Sequence, residues 1–194
     1  MNENHAQLCP SPEWTQHIHD EVLPSLTQIA DLGEVMLELG PGPGAATEWL
    51  RHRVKRLVAV ESDREAVANL THRFRDSNVE IVSGDATELD FAAESFHSVG
   101  AFTMLHHVPS TQLQQQLLAE AYRVLRGGGV FLGSDSLASN DLHHFHAEDT
   151  YNPIDPAALL VRLQAVGFTS ITLIVDGDLK FVAQKPGDLE PKCA

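Results

Sequence analysis

Short apolar runs alternate with helix-like patterns along most of the chain. Runs rich in Val, Ile, Leu and Phe predict strands at 35–39, 56–60, 79–83, 96–103 and 130–133. Apolar residues at helical spacing predict helices at 45–54, 64–74, 111–125 and 156–166. Because alternating strands and helices place helices on both faces of a parallel sheet, the pattern predicts an α/β fold with a doubly wound sheet.

The two ends of the chain depart from this alternation. Ser11-Pro12-Glu13 is typical of a helix start, and Pro24 is expected to kink or break the helix that follows. Near the other end, Asp176-Gly177-Asp178 separates the apolar runs 169–175 and 179–184 and predicts a tight hairpin. One strand at the edge of the sheet is therefore expected to run antiparallel.

Length and composition indicate one ordinary globular domain. The chain has 194 residues, of which 43% are hydrophobic and 21% charged. Its first residues are polar and do not resemble a signal peptide, and no apolar run is long enough to span a bilayer. The spacing of Cys9 and Cys193 suggests neither a metal clip nor a disulfide framework. We expect a cytoplasmic protein without a membrane span.

The charge balance bears on the partner. The formal net charge is −14, whereas a phosphate backbone is bound by basic surfaces, so the sequence predicts no nucleic acid partner. Five basic residues lie close together and are interpreted as a solvated helix end and turn: Arg51, Arg53, Lys55, Arg56 and Arg64.

A glycine-rich turn follows the first predicted strand, at Gly40-Pro41-Gly42-Pro43-Gly44. Glycine lets the backbone turn sharply and lets a ligand approach it closely, as in the nucleotide-binding turns of α/β sheets. Ala45 can stand in for the last glycine of a dinucleotide fingerprint, so the spacing alone leaves NAD open. The two prolines each remove an N–H donor that a pyrophosphate would use, which favours a ligand without phosphates.

The segment Glu38-Leu39-Gly40-Pro41-Gly42-Pro43-Gly44 resembles the first motif of class I S-adenosylmethionine-dependent methyltransferases. The later segments follow that family's order over residues 33–185. The resemblance implies a Rossmann-like, seven-stranded, mostly parallel sheet with an antiparallel last strand, and S-adenosylmethionine as cofactor. Leu105-His106-His107 further resembles the corresponding segment of small-molecule methyltransferases of the quinone-biosynthesis group.

The resemblance also implies a division of the chain. Residues 1–32 are expected to form an arm and a helix that caps the cofactor pocket. Residues 33–185 are expected to form the cofactor-binding methyltransferase domain, and residues 186–194 a C-terminal tail.

The loops after successive strands supply the expected cofactor contacts, because ligands of open α/β sheets bind at the carboxyl ends of the strands. Glu61 lies about twenty residues past the glycine turn, where an acid can accept hydrogen bonds from both ribose hydroxyls. The family implies that Asp85 and Ala86 contact adenine and that Glu38 serves the amino-acid end of the cofactor. An Asx turn at Asp85 and a surface role for Glu38 remain open as alternatives. The expected cofactor-binding residues are Glu38, Leu39, Gly40, Pro41, Gly42, Gly44, Glu61, Ser62, Asp85, Ala86, Phe102 and Thr103.

Histidines supply the remaining candidate chemistry. His106 is expected to face the acceptor pocket and to act as the catalytic base if the acceptor must lose a proton; a packing role is the alternative. The segment 134–153 carries His143, His144 and His146. Three interpretations of it remain open: a lid over the substrate, a metal site or an ordinary polar surface loop. No metal is assigned.

The sequence therefore predicts an S-adenosylmethionine-dependent methyltransferase acting on an unidentified small-molecule acceptor, with its oligomeric state open. Two alternatives remain. One is a non-catalytic subunit of the same fold that supports a partner enzyme, and the other is an NAD(P)-dependent oxidoreductase. Short-chain dehydrogenases need a Tyr and a Lys four residues apart, and Tyr122 with Arg126 meets this poorly.

Overall fold

A computed structural model describes residues 8–147 and 149–187 of the chain. Seven strands lie in this part: β1 Val35–Leu39, β2 Arg56–Glu61, β3 Val79–Ser83, β4 Phe96–Phe102, β5 Leu125–Ser136, β6 Thr169–Asp176 and β7 Asp178–Gln184. They form one sheet in the order β3-β2-β1-β4-β5-β7-β6. Strands β1 to β5 pair in parallel, while β7 is antiparallel to both of its neighbours. The predicted doubly wound sheet with an antiparallel last strand is confirmed.

Helical segments connect the strands. The α-helices are α1 Pro12–His17, α2 Leu23–Thr27, α3 Ala45–Leu50, α4 Arg64–Arg73, α5 Thr111–Val124, α6 Asn140–Phe145 and α7 Pro156–Val166. A π-helical turn at Ile18–Val22 joins α1 to α2, and a 3-10 turn at Leu105–His107 follows β4. None of the helices within the described residues is both long and apolar enough to cross a bilayer.

Two apolar clusters cover the two faces of the sheet. One packs α5 and α7 against the sheet through residues such as Leu117, Leu163 and Phe131. The other packs the N-terminal segment and α3 through residues such as Leu23 and Leu50. Burial on both faces explains why β1 and β2 are nearly continuous apolar runs rather than alternating ones.

The N-terminal helix follows the prediction at its start and differs at Pro24. The Ser11 hydroxyl accepts a hydrogen bond from the Trp14 N–H at 3.1 Å and caps α1. The chain then passes through the π-helical turn Ile18–Val22, so that Pro24 falls in the first turn of α2. A first-turn proline needs no N–H partner, and the helix continues past Pro24 instead of breaking.

Three further segments differ from the prediction. Helix α3 ends at Leu50, four residues early. Strand β5 begins at Leu125 instead of at residue 130 and includes the glycine run 127–129, because Gly128 and Gly129 exchange backbone hydrogen bonds with Lys185. The unpredicted helix α6 begins in the long segment after β5, where the Ser139 hydroxyl accepts from the Leu142 N–H. Residues 1–7, 148 and 188–194, with Cys193 and most of the expected tail, lie outside the described part.

Candidate functional site

A cavity of about 630 Å³ lies at the carboxyl ends of the parallel strands. Its walls include the glycine turn after β1 and the residues that follow β2, β3 and β4. The strand order reverses direction between β1 and β4, and this switch point is where open α/β sheets bind their ligands. The topology therefore brings together most of the side chains that the sequence singled out.

The glycine turn has a left-handed backbone that side chains rarely adopt. The φ angles of Gly40 and Gly42 are +60° and +54°. A Cβ added at Gly40 would lie 3.0 Å from the Met104 side chain, whereas one added at Gly42 would meet nothing within 4 Å. Because Gly42 has no side chain, its backbone borders the cavity directly, and a ligand can approach that backbone closely.

Glu61 anchors this turn. Its Oε2 accepts a hydrogen bond from the Gly42 N–H at 3.1 Å, and its Oε1 accepts from the N–H groups of Ser62 and Asp63 at 2.8 and 2.9 Å. Only 8% of Glu61 is exposed, and it lines the cavity. Asp63 caps α4 by accepting from the Ala66 N–H at 2.9 Å. The Glu61 carboxylate therefore fixes the relative position of the first two loops of the site.

Glu38 is a buried acid at the end of β1. It is 1% exposed, lines the cavity, and its Oε2 has no hydrogen-bond partner among the described residues. Burial raises the pKa of Glu38 from 4.5 to about 7, the negative charge of Glu61 adds to the rise, and the Thr47 hydroxyl partly offsets it. A buried oxygen without a donor is costly, so this position suits a ligand that brings a positive charge.

The pH dependence of stability tests this burial. Because the pKa of Glu38 is higher in the folded state than its ordinary value of 4.5, the folded state holds the proton more tightly. The contribution of Glu38 to stability is therefore largest below pH 4.5, and it is lost as the pH rises to about 7. We expect this loss to be about 3 kcal/mol in the unfolding free energy.

Urea unfolding of the ligand-free protein between pH 4.5 and 7.5 measures the loss. The difference between wild type and Glu38→Gln should change across this range, because glutamine does not titrate. Glu80→Gln, which alters an exposed acid, serves as the control and should give a difference that stays constant. If the difference in unfolding free energy between wild type and Glu38→Gln stayed constant with pH, the pKa of Glu38 would be ordinary.

The loops after β3 and β4 supply the opposite side of the cavity. Asp85 and Ala86 line it, and the Asp85 Oδ1 accepts from the N–H and hydroxyl of Thr87 at 2.7 and 2.8 Å, which forms an Asx-type turn. Phe102 and Thr103 also line the cavity. Thr103 has a φ of +51°, a left-handed conformation that costs a non-glycine residue about 1–2 kcal/mol. Its N–H donates to the Ser134 carbonyl at 2.7 Å, which helps to hold this conformation.

Three of the expected site residues do not line the cavity. Leu39 is fully buried in the core, and Gly44 is the N-cap residue of α3 with a φ of +84°. His106 lies behind the wall with 5% of its surface exposed, and its Nδ1 is 2.5 Å from Asp135 Oδ1. The neighbouring His107 lines the cavity in its place.

Two further segments contribute to the cavity wall. Cys9, Trp14 and Ile18 reach it from the N-terminal segment, which was expected to cap the cofactor pocket, and Asp149 and Thr150 reach it from the segment after α6, for which a lid was one interpretation. These five residues were not themselves among the expected site residues, because helical spacing and loop length mark a segment and not the side chains that face a cavity.

Two histidines tie the N-terminal segment to the domain. The His19 Nε2–H donates to the Ala45 carbonyl at 2.8 Å, beside the glycine turn. His17 Nε2 lies 3.2 Å from Asp178 Oδ2 in β7. The segment is thus held at both the cofactor side and the hairpin side of the sheet.

Comparisons with known proteins agree with this geometry. Residues 37–133, half of the chain, match a family described as "Methyltransferase domain". A ribosomal RNA small subunit methyltransferase A from Geobacter metallireducens is 51% identical over 71 residues, which cover 34% of this chain and 26% of that protein. A protein from Mycolicibacterium smegmatis described as a probable S-adenosylmethionine-dependent methyltransferase is 29% identical over 143 residues, which cover 70% of this chain and 52% of that protein. The chain thus spans about a quarter and about half of the lengths of these two relatives.

A solved structure shows the same fold. It is a chain of a complex between the Haloferax volcanii Trm112 methyltransferase activator and a protein described as a methyltransferase. Its superposition on this chain has a TM-score of 0.76 and a sequence identity of 16%, and it covers 96% of this chain and 99% of that chain.

The prediction that nucleic acid is excluded as a partner is wrong. Relatives with up to 51% identity over part of this chain are named as ribosomal RNA methyltransferases, and the fold also occurs in a complex with an activator protein. The physical reason is that net charge sums over a whole surface, while partner recognition is local. Here Arg51 lies 2.6 Å from Glu48, and Arg56 lies 2.5 Å from Glu80, so acids neutralise part of the basic cluster without removing it.

Proposed function

Because the chain belongs to the class I S-adenosylmethionine-dependent methyltransferases, we propose that it transfers a methyl group to a small-molecule acceptor held in the cavity. S-adenosylmethionine is its cofactor. The observation that carries the proposal is the buried Glu38 carboxylate beside an open glycine turn, because its Oε2 has no hydrogen-bond partner among the described residues. A cationic ligand without phosphates satisfies both features.

The cofactor-binding roles follow from the two acids. Glu38 would accept hydrogen bonds from the cofactor's ammonium group, which favours the ionised carboxylate. Glu61 would accept from the ribose hydroxyls while it keeps its contact with the Gly42 N–H. Gly40, Pro41 and Gly42 line the cavity, and their backbone would leave room for the amino-acid end of the cofactor.

The other residues of the site complete the proposed cofactor contacts. Asp85 would accept from the adenine amine, and the Ala86 N–H would donate to the ring. Ser62 would border the ribose, and Phe102 and Thr103 would border the methionine chain. Leu39 and Gly44 would act indirectly, because they set the end of β1 and the start of α3.

The chemistry depends mainly on positioning. When bound, S-adenosylmethionine supplies a methyl group that its sulfonium already activates. The chain's own residues align the acceptor and exclude water, and in well-aligned reactions positioning supplies about 7–11 kcal/mol. For an acceptor that must lose a proton, His106 would be the proton acceptor; its imidazole is oriented by Asp135 and lies just behind the cavity wall, next to the ring of His107.

Several features support a small acceptor. The cavity wall also includes apolar groups beside His107: Met104, Val108, Pro109 and Leu113. A neutral or lipid-like ring compound suits such a wall, and the Leu105-His106-His107 segment supports a likeness to the quinone-biosynthesis group. We also propose that residues 1–32 cap the cavity, that residues 33–185 form the methyltransferase domain and that residues 186–194 are a tail.

Formation of S-adenosylhomocysteine tests the proposal. The purified chain is incubated with S-adenosylmethionine and either a panel of phenols, quinols and amines or unmodified ribosomal RNA. We expect at least one small acceptor to raise the rate tenfold or more over the acceptor-free rate. Glu61→Ala should abolish this rise, whereas Glu65→Ala, which alters an exposed acid nearby, should keep it.

Two outcomes would contradict the proposal. If RNA but none of the small acceptors raised the rate, the substrate would be a nucleic acid and not a small molecule. Binding of S-adenosylmethionine without turnover on either class, alone or with an added activator protein, would favour the non-catalytic subunit.

A further inference from the structure

Three imidazole rings meet beside the cavity. His106 and His107 lie in the 3-10 turn after β4, and His146 lies directly after α6. The ring centroids are 4.1 Å apart for His106 and His107, 4.9 Å for His106 and His146, and 5.4 Å for His107 and His146. One ligand atom from each side chain lies within 4.8 Å of those of the other two.

The surrounding acceptors orient two of these rings. The Nδ1–H of His146 donates to the Leu142 carbonyl at 2.6 Å, and a carbonyl can only accept, so the lone pair of the neutral ring is on Nε2. The Nδ1 of His106 lies 2.5 Å from Asp135 Oδ1, which favours the same tautomer. A carboxylate or a carbonyl behind the ring is the usual outer partner of a metal-binding histidine.

The charge and the packing around the rings also fit a cation. Asp135 is fully buried, and its carboxylate accepts from the backbone N–H groups of His106 and Ser136 at 3.2 and 2.8 Å. The ring of Tyr151 stacks on His146 with centroids 4.2 Å apart. The ring of His106 is thus held next to a buried carboxylate, and the ring of His146 lies under an aromatic ring.

We propose that His106, His107 and His146 bind a divalent transition metal ion of the zinc type. Three neutral imidazoles with an open fourth position are a known zinc donor set, with zinc–nitrogen distances of about 2.0–2.1 Å. A tetrahedral ion places its nitrogen ligands about 3.3 Å apart, so the segment after α6 moves toward the turn after β4 by roughly 1 Å on binding. Of the histidines at 143–146, only His146 belongs to this site.

The position of the site gives the ion a role that rests on the proposed function. Of the three ligands, His107 lies in the cavity wall, so the ion would lie at the edge of the cavity. It would lower the pKa of a bound hydroxyl or thiol of the acceptor, whose proton would pass to a water molecule. With the ion bound, His106 would be a metal ligand in place of its role as proton acceptor.

Calorimetric titration of the chelator-treated protein with ZnCl₂ tests the site without any methyl acceptor. We expect one equivalent of Zn²⁺ per chain. His107→Ala and His146→Ala should each weaken binding at least a hundredfold, and Asp135→Asn should weaken it about 10–100-fold through His106. His143→Ala and His144→Ala remove nearby histidines outside the cluster and should leave the affinity unchanged.

Substitution by Co²⁺ gives a second readout. A nitrogen-bound tetrahedral Co²⁺ ion has strong visible absorption, which should appear in the wild type and in His143→Ala and be absent from His146→Ala. Circular dichroism checks that each variant is folded. Binding of fewer than one ion, or equal affinity in His146→Ala and His143→Ala, would overturn the metal site. Cofactor binding is measured separately, so this failure would leave the proposed methyl transfer intact.

Discussion

Glu61→Ala is expected to weaken the binding of S-adenosylmethionine about a hundredfold while the fold remains intact. The substitution removes a carboxylate that is proposed to accept from both ribose hydroxyls, and hydrogen bonds to a charged group contribute about 1.5–3 kcal/mol. It also removes the acceptor that three backbone N–H groups share, including that of Gly42 in the glycine turn. Both losses act on the same ligand, so their effects on affinity reinforce each other.

Isothermal titration calorimetry with S-adenosylmethionine measures this effect. Glu61→Gln keeps one accepting oxygen and should fall between wild type and Glu61→Ala. Glu65→Ala, on the exposed first turn of α4, is the matched control and should bind like wild type. Unchanged affinity in Glu61→Ala would remove the ribose assignment, and a loss of the folded state would show that Glu61 acts only in holding the two loops together.

The largest effect on stability is expected from Gly133→Ala, at about 3 kcal/mol or more of unfolding free energy. Gly133 lies in β5 between β4 and β7. A Cβ built there would lie 2.2 Å from the Ala101 carbonyl oxygen and 2.7 Å from the ring of Phe181. The carbonyl belongs to the backbone of the neighbouring strand and cannot rotate away, so the strands must separate. Overpacking of this kind in a filled core costs 1–3 kcal/mol or more.

Thermal and urea unfolding compare this variant with Gly84→Ala. A Cβ at Gly84 would meet only Val60 Cγ1, at 3.3 Å, so the control should lose less than about 1 kcal/mol. Equal stability of the two variants would mean that β4 and β5 can separate at little cost.

The fold and the cofactor side of the site were predictable because they depend on local patterns. Strand–helix alternation determines a parallel sheet, and the carboxyl ends of its strands lie at one edge. The turns that begin at Gly40, Glu61 and Asp85 could therefore be placed together before any coordinates. The charge of the whole chain was a poor guide to its partners, because ion pairs such as that between Arg56 and Glu80 are invisible in a sum.

The individual residues that close the cavity from outside these turns were not predictable in the same way. They include Cys9 and Trp14 at one end of the chain and Asp149 and Thr150 near the other. Only tertiary packing joins these segments. The histidine cluster has the same origin: His146 joins His106 and His107 across forty positions of sequence, and the buried Asp135 gives no sign in the sequence that it lies behind them.

The N-terminal contribution to the cavity wall has an evolutionary consequence. Residues 37–133 match the family profile, whereas Trp14, Ile18 and Thr150 in the cavity wall all lie outside that stretch. Substitutions at these peripheral positions can therefore change the shape of the cavity while the stretch that matches the profile stays the same.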